Sequence, residues 1–202
     1  MTTRDPGRSN NRGRRPGAPD TRAEILASAR ALFAARGFSS TSVRSIAAAA
    51  GVDPSLVHHY FGTKDDLFVA ALELPVDPRV ALQPVMEGGL EGAGERLLRV
   101  FLSVWDDETA RLSLLGLVRG VFEPSGRQLL RDGLIGVVLG PIGPALGVDE
   151  PQRRVSLVAS QVIGLVMLRY VLEVEPLASM DGEVLVATYA PTLQRYLADP
   201  LP

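Results

Sequence analysis

Cysteine is absent from this 202-residue sequence, lysine and tryptophan each occur once, and there are two histidines. Each scarcity removes a class of chemistry. Without thiols there is neither a disulfide framework nor a thiolate metal site. The histidines, His58 and His59, are neighbours, and adjacent side chains on a helix point about 100° apart. They do not close on one ion, and no third histidine joins them, so no metal is expected. The most apolar run, Val162 to Leu168, is far shorter than the roughly 20 residues of a membrane span and reads as a buried helix. No apolar stretch follows the first arginines, so a secretory signal is not expected and the cytoplasm is the expected location. Asp106, Asp107 and Glu108 follow Trp105, but consecutive acids diverge on a helix, and no histidine or nucleophile accompanies them in this half. They read as a solvated helix end; no enzyme activity, catalytic residue or cofactor is expected.

What is present is apolar and unevenly charged. With 46% hydrophobic residues the chain can fill one large domain or a small and a medium one. The net charge of -2 conceals a division, because residues 1 to 64 carry 10 Lys and Arg against 4 Asp and Glu, whereas the remainder carries 11 against 19. The first part is basic enough to attract phosphates through its local field, and the acidic remainder is kept off them.

Residues 1 to 18 are Arg, Gly, Pro, Asn and Ser without apolar periodicity and are expected to be a disordered basic arm. Arg12, Arg14 and Arg15 suit a minor groove; the alternative is a solvated tail. A domain over 19 to 74 follows. Thr21 with Glu24 forms a T-x-x-E box before Ile25, Leu26, Ala29, Leu32 and Phe33, and Gly37 is a stop signal. Thr41 or Ser42 caps a second helix with Val43, Ile46, Ala47 and Ala50 on one face, closed at Gly51. Asp53 caps a third, with Pro54 at its first position. Thr63, with Asp66 three residues on, begins a fourth. Two helices joined by a short glycine-containing turn form a helix-turn-helix, whose second helix enters the major groove. Val57 and Phe61 face the domain's core, so Ser55, Leu56, His58 and His59 face the groove. Arg44 is the side chain of the second helix suited to bidentate contact with guanine. Thr63 and Lys64 can hold a phosphate at a helix N-terminus, and the Tyr60 hydroxyl can donate to one. With Ser42 and Pro54 flanking them, these residues are the expected DNA-binding set.

The motifs Ala29-x-x-Leu32-Phe33-x-x-x-Gly37-Phe38, Thr41 to Ala47, Ala50-Gly51-Val52 and His59-Tyr60-Phe61-Gly62-Thr63-Lys64-Asp65-Asp66-Leu67 resemble, in order and spacing, the N-terminal domain of the tetracycline-repressor (TetR) family of bacterial transcription regulators. His58 departs from the family's usual tyrosine. The resemblance implies DNA contacts at Arg44 and at the first turn of the fourth helix, where Lys64 stands. It further implies a homodimer on a double-stranded operator and a small apolar or amphipathic effector that releases a repressor from a palindromic site. The alternative is an effector-independent regulator whose C-terminal domain is only a scaffold. Gln161 to Ala178 and Ala190 to Leu197 are similar to one subgroup of the family's C-terminal domains.

The fold class is therefore all-α, with a three-helix helix-turn-helix domain and a helical C-terminal domain for effector binding and dimerisation. Pro75, Pro78, Pro84, Gly88, Gly89, Gly92 and Gly94 mark a hinge or irregular connection over 75 to 93. The helical domain over 94 to 202 follows, its longest helix running from Pro151 to about Glu173 and its last from Asp181 to Asp199, bent or broken at Pro191. The long helix is apolar nearly all round and must be buried on several sides. A four-helix dimer interface would use Val158, Val162, Gly164 and Leu165 with Val184, Ala187, Thr188 and Pro191. Phe101, Leu102, Trp105, Leu115, Val118, Phe122, Val138 and Tyr170 are candidates for lining an effector pocket, with Arg119 and Arg169 to orient a polar group.

Overall fold

Helices, with no strand among the described residues, make up the computed structural model, which describes residues 20–119 and 127–202. The arm with Arg12, Arg14 and Arg15, and the pocket candidate Phe122, lie outside the described residues.

The first four helices are α1 (Thr21–Arg36), α2 (Val43–Ala50), α3 (Pro54–Phe61) and α4 (Lys64–Ala71). Their ends follow local chemistry. At α1 the cap is Asp20 rather than Thr21: its carboxylate accepts from the Ala23 amide at 3.3 Å, so Thr21 becomes the first helical residue. Ser42 caps α2 in a reciprocal box with Ser45, and Gly51 ends it in the left-handed region at φ 67°. Thr41 is buried instead, its hydroxyl donating to Gly37 O at 2.8 Å. Asp53 caps α3 with Pro54 behind it. Ile25, Ala29, Phe33, Ile46, Ala47, Val57, Phe61, Leu67 and Phe68 form one core, in which the rings of Phe33, Phe38 and Phe68 meet at 5.1 to 5.7 Å.

The stretch expected to be irregular contains two short helices, α5 (Pro78–Ala81) and α6 (Gln83–Glu87), and Leu82 and Val85 are buried in the second core. Prolines at first or second helical positions start these helices rather than break them. The second core is built by α7 (Ala93–Trp105), α8 (Glu108–Arg119), α9 (Leu129–Leu139), α10 (Ile142–Ala145), α11 (Pro151–Leu165) and α12 (Gly182–Ala198). Helix α9 is wound wide, with bonds of the i to i+5 type such as Gly140 N to Ile135 O at 2.8 Å. Helix α11 continues into a similarly wide segment, Val166–Val171. The combined helix, at 21 residues, is long and apolar enough by length and composition to cross a membrane, which the apolar run alone did not suggest. Its Val155, Val158, Ala159, Leu165 and Val166 are buried within the protein. Helix α12 runs through Pro191 unbroken.

Two close approaches fix the layout. Gly94 of α7 lies against the backbone of α12, where a Cβ would come within 2.6 Å of Gln194 N. Gly133 of α9 lies against Phe68 of α4, with no room for a Cβ beneath the ring, and Val137 of α9 is buried in the N-terminal core.

Candidate nucleic-acid interface and cavity

Helix α3 is held by two side chains and presents the rest. Val57 and Phe61 are buried, while Ser55, Leu56, His58, His59 and Tyr60 are exposed and Pro54 is half-buried. Such a division leaves the outward side chains free to meet base edges and phosphates. Arg44 is exposed on α2. Tyr60 is 42% exposed, its ring set edge-on to His59 at 5.3 Å. His58 has its Nδ1 2.8 Å from Gly62 O. A carbonyl only accepts, so Nδ1 carries the proton of this hydrogen bond. A tyrosine hydroxyl at the same place would both donate and accept.

The start of α4 also has partners within the protein. Lys64 Nζ donates inward, to Phe38 O at 2.8 Å and Thr41 O at 2.9 Å, and lies 4.0 Å from the centre of the Phe38 ring. Partial burial lowers its pKa, partly opposed by Asp65. Two of its three donors thus join α4 to the α1–α2 turn, which leaves one for a phosphate. Thr63 is similarly engaged, its amide and hydroxyl donating to Asp66 Oδ2 at 3.0 and 2.6 Å. This helix start already holds an anion of its own. Ser42 is exposed, with its Oγ accepting from Ser45 N at 3.1 Å.

The Asp66 carboxyl is held down at about 2 by the Thr63 hydroxyl, then the Thr63 amide, with a further contribution from Arg79 at 2.7 Å. An unfolded Asp titrates near 3.9, so the stabilisation from this group is complete above that pH and is lost as pH falls through about 2. Asp66→Asn removes the ionisation. The difference in Tm between wild type and Asp66→Asn, measured by calorimetry, is expected to be largest above pH 4 and to shrink toward pH 2; a difference that grows on acidification would contradict the assignment.

The second core contains a cavity of about 210 Å³, partly open to solvent beside the exposed Ile163. It is lined by Leu74, Pro78, Ala81 and Leu82 from the connection, by Leu97, Val100, Phe101, Val104 and Trp105 of α7, and by Leu114 and Val118 of α8. Ile135, Val138 and Leu139 of α9, and Val158, Ala159, Val162, Ile163, Val166 and Met167 of α11 and its extension, complete the lining. Of the residues expected to line an effector pocket, Phe101, Trp105, Val118 and Val138 line this cavity. Leu102 is buried in the same core and Leu115 packs against it, but neither lines the cavity. Tyr170 stacks on Trp105 at 5.2 Å and donates its hydroxyl to Asp106 at 2.8 Å; burial, then this hydrogen bond, raise its pKa, so it remains a donor. Arg119 is exposed at the end of α8. Arg169 donates to Leu177 O and Met180 O, both at 2.8 Å, and lies 4.0 Å from Asp106. Neither arginine lines the cavity.

The expected dimer residues divide. Val158 and Leu165 are only 4% and 2% exposed, since α11 turns them into the protein's own core. Val162 lines the cavity and Gly164 is half-buried, whereas Val184, Ala187, Thr188 and Pro191 of α12 are exposed. Ile163, Leu168, Val171 and Leu172 are also exposed and were absent from that set. An all-round apolar helix does not reveal which of its faces the chain itself covers.

Residues 25–71 match the family model of bacterial regulatory proteins of the tetR family, and residues 91–197 match that of the tetracyclin repressor-like C-terminal domain. An HTH-type transcriptional repressor of Mycobacterium tuberculosis is 45% identical over 74 residues, which are 36% of this chain and 38% of that protein. The HTH-type transcriptional regulator BetI of Brucella anthropi is 43% identical over 123 residues, 56% of this chain and 61% of BetI. The matched part thus spans less than two thirds of either relative. A TetR-family regulator from Streptomyces coelicolor A3, known from its crystal structure, is 43% identical, with 93% of this chain and 99% of that one covered at a TM-score of 0.49. Two family models in sequence, over a helix-turn-helix followed by an all-helical domain, show that the chain belongs to the TetR family of bacterial regulatory proteins.

Proposed function

We propose that the protein is a DNA-binding transcriptional repressor, acting in the cytoplasm as a homodimer on a palindromic operator and released from it by a small molecule in the cavity. The observation that carries this reading is the double contact of α9. Ile135, Val138 and Leu139 line the cavity, while Gly133 and Val137 seat the same helix on Phe68 and the N-terminal core. A molecule that changes the cavity wall changes the seat of α4, and α4 follows the recognition helix directly. Such coupling shifts a population between arrangements that do and do not fit DNA. The exposed apolar side chains Ile163, Leu168, Val171, Leu172 and Val184 support dimerisation, because self-association removes such area from water.

Selection of bound genomic fragments by the purified full chain, followed by footprinting, tests the reading. Two protected half-sites related by a two-fold axis are expected, and no enriched fragment would refute it. On the selected operator, Arg44→Ala is expected to bind about 10 to 100-fold more weakly by fluorescence anisotropy, the loss of one bidentate base contact. Unchanged affinity would remove Arg44 from the interface.

A further inference from the structure

The cavity's lining restricts its ligand more narrowly than the fold does. Among the described residues, no charged, hydroxyl or amide side chain lines it. The two arginines that the sequence offered as partners for a polar effector lie elsewhere, Arg169 on backbone carbonyls and Arg119 exposed at the end of α8. A carboxylate or ammonium taken from water into these walls would meet no opposite charge and no side-chain donor or acceptor to replace its hydration. Two of the lining residues are aromatic, Phe101 and Trp105, with ring centres 5.9 Å apart; Tyr170 stacks on Trp105, and an aromatic side chain in an apolar wall is a favourable edge or face for a ligand's ring. The volume of about 210 Å³ exceeds the roughly 150 Å³ of an apolar cavity known to stay dry and take benzene.

We infer that the effector is an uncharged, hydrocarbon-like molecule carrying one ring and a few further carbons, such as an alkylbenzene or a monocyclic terpene, and that carboxylates and organic cations of the same shape are excluded. This rests on reading the cavity as the effector site. The binding energy then comes almost wholly from apolar area removed from water, and discrimination comes from the absence, among the described lining residues, of any partner for charge.

Three molecules of one shape provide the test: p-cymene, p-isopropylbenzoate and p-isopropylbenzylammonium. Trp105 is the only tryptophan in the sequence and it lines the cavity, so its fluorescence reports occupancy without a label. With the full-length wild-type protein, p-cymene is expected to change the Trp105 emission saturably and to raise the Tm. Both charged molecules are expected to bind at least about a hundredfold more weakly. Either charged molecule binding within about tenfold of p-cymene, or no response to any of the three, would overturn the inference. Displacement of operator DNA, followed in parallel by anisotropy, keeps the two readings apart. Saturable p-cymene binding that leaves the operator bound supports the ligand class and counts against release. Release by a charged molecule alone does the reverse.

Discussion

Gly94→Val is expected to lower stability by on the order of 4 kcal/mol, and so the Tm by roughly 10 °C. The substituted Cβ would stand 2.6 Å from Gln194 N and 2.7 Å from Ala190 O, and both of these are backbone atoms, which no rotamer change moves aside. Helices α7 and α12 must separate along the line where Leu97, Leu98, Phe101 and Leu102 face the same core as Leu185, Val186, Ala190 and Leu193. Separation also breaks a bracket around the glycine: the Gly94 amide donates to Gln194 Oε1 at 3.0 Å, and Gln194 Nε2 donates to Leu90 O at 2.9 Å. Urea unfolding of Gly94→Val beside Gly116→Ala provides the comparison. Gly116 is an exposed glycine of α8 with nothing within 4 Å of its would-be Cβ. The second substitution should be neutral or stabilising by about 0.5–1 kcal/mol; equal effects at the two positions would show that α7 and α12 do not approach as described.

The second large effect concerns Arg154, which is 2% exposed and has every guanidinium nitrogen engaged. Its Nε donates to Asp149 O at 3.0 Å and Oδ1 at 2.7 Å, its Nη1 to Tyr196 O at 2.8 Å and Asp199 O at 2.9 Å, and its Nη2 pairs with Asp149 Oδ1 at 2.6 Å. One side chain thus joins the loop before α11 to the last carbonyls of α12, where a positive charge also opposes the helix dipole favourably. Arg154→Ala is expected to cost about 2–3 kcal/mol by chemical denaturation, because a side chain only 2% exposed loses its packing and the carbonyls of Asp149, Tyr196 and Asp199 lose their donors; the Asp149 carboxylate, 74% exposed, is left in water and adds little. Arg154→Lys should recover only a minor part of this, since an ammonium cannot span the fork of acceptors. Full recovery by lysine would mean that charge alone matters at this position.

The parts of the protein that the sequence disclosed are those whose cause is local. Asp53 with Pro54, Ser42, Gly51 and Thr63 with Asp66 each act within a few residues of one another, so the start and end of the helix-turn-helix were legible. Asp20 and Thr21 are both good caps, and composition does not choose between neighbours; the carboxylate that reaches Ala23 N decides. The inward contacts of Lys64 leave no mark in the sequence for a different reason. Its acceptors, Phe38 O and Thr41 O, lie 26 and 23 residues earlier and are backbone atoms, which leave no trace in side-chain patterns. The cavity was half legible: the aromatic positions of α7 were visible, but Leu74, Pro78, Ala81 and Leu82 were hidden in a stretch whose prolines and glycines read as a linker. Val158 and Leu165 show the remaining limit, because periodicity states that a face is apolar and not whether the chain or a second copy covers it.

Helix α9 has one further consequence. On the proposed reading, the helix whose Ile135, Val138 and Leu139 line the cavity and whose Gly133 and Val137 meet Phe68 and the N-terminal core links occupancy of the cavity to occupancy of the operator. By how many fold a ligand weakens the hold on DNA, by that same factor the DNA weakens the hold on ligand. The affinity measured for the free protein is therefore not the concentration at which a promoter responds. On that reading operator-bound copies give way later, so the threshold of the response is set in part by the DNA, and a weaker operator responds to less of the same molecule.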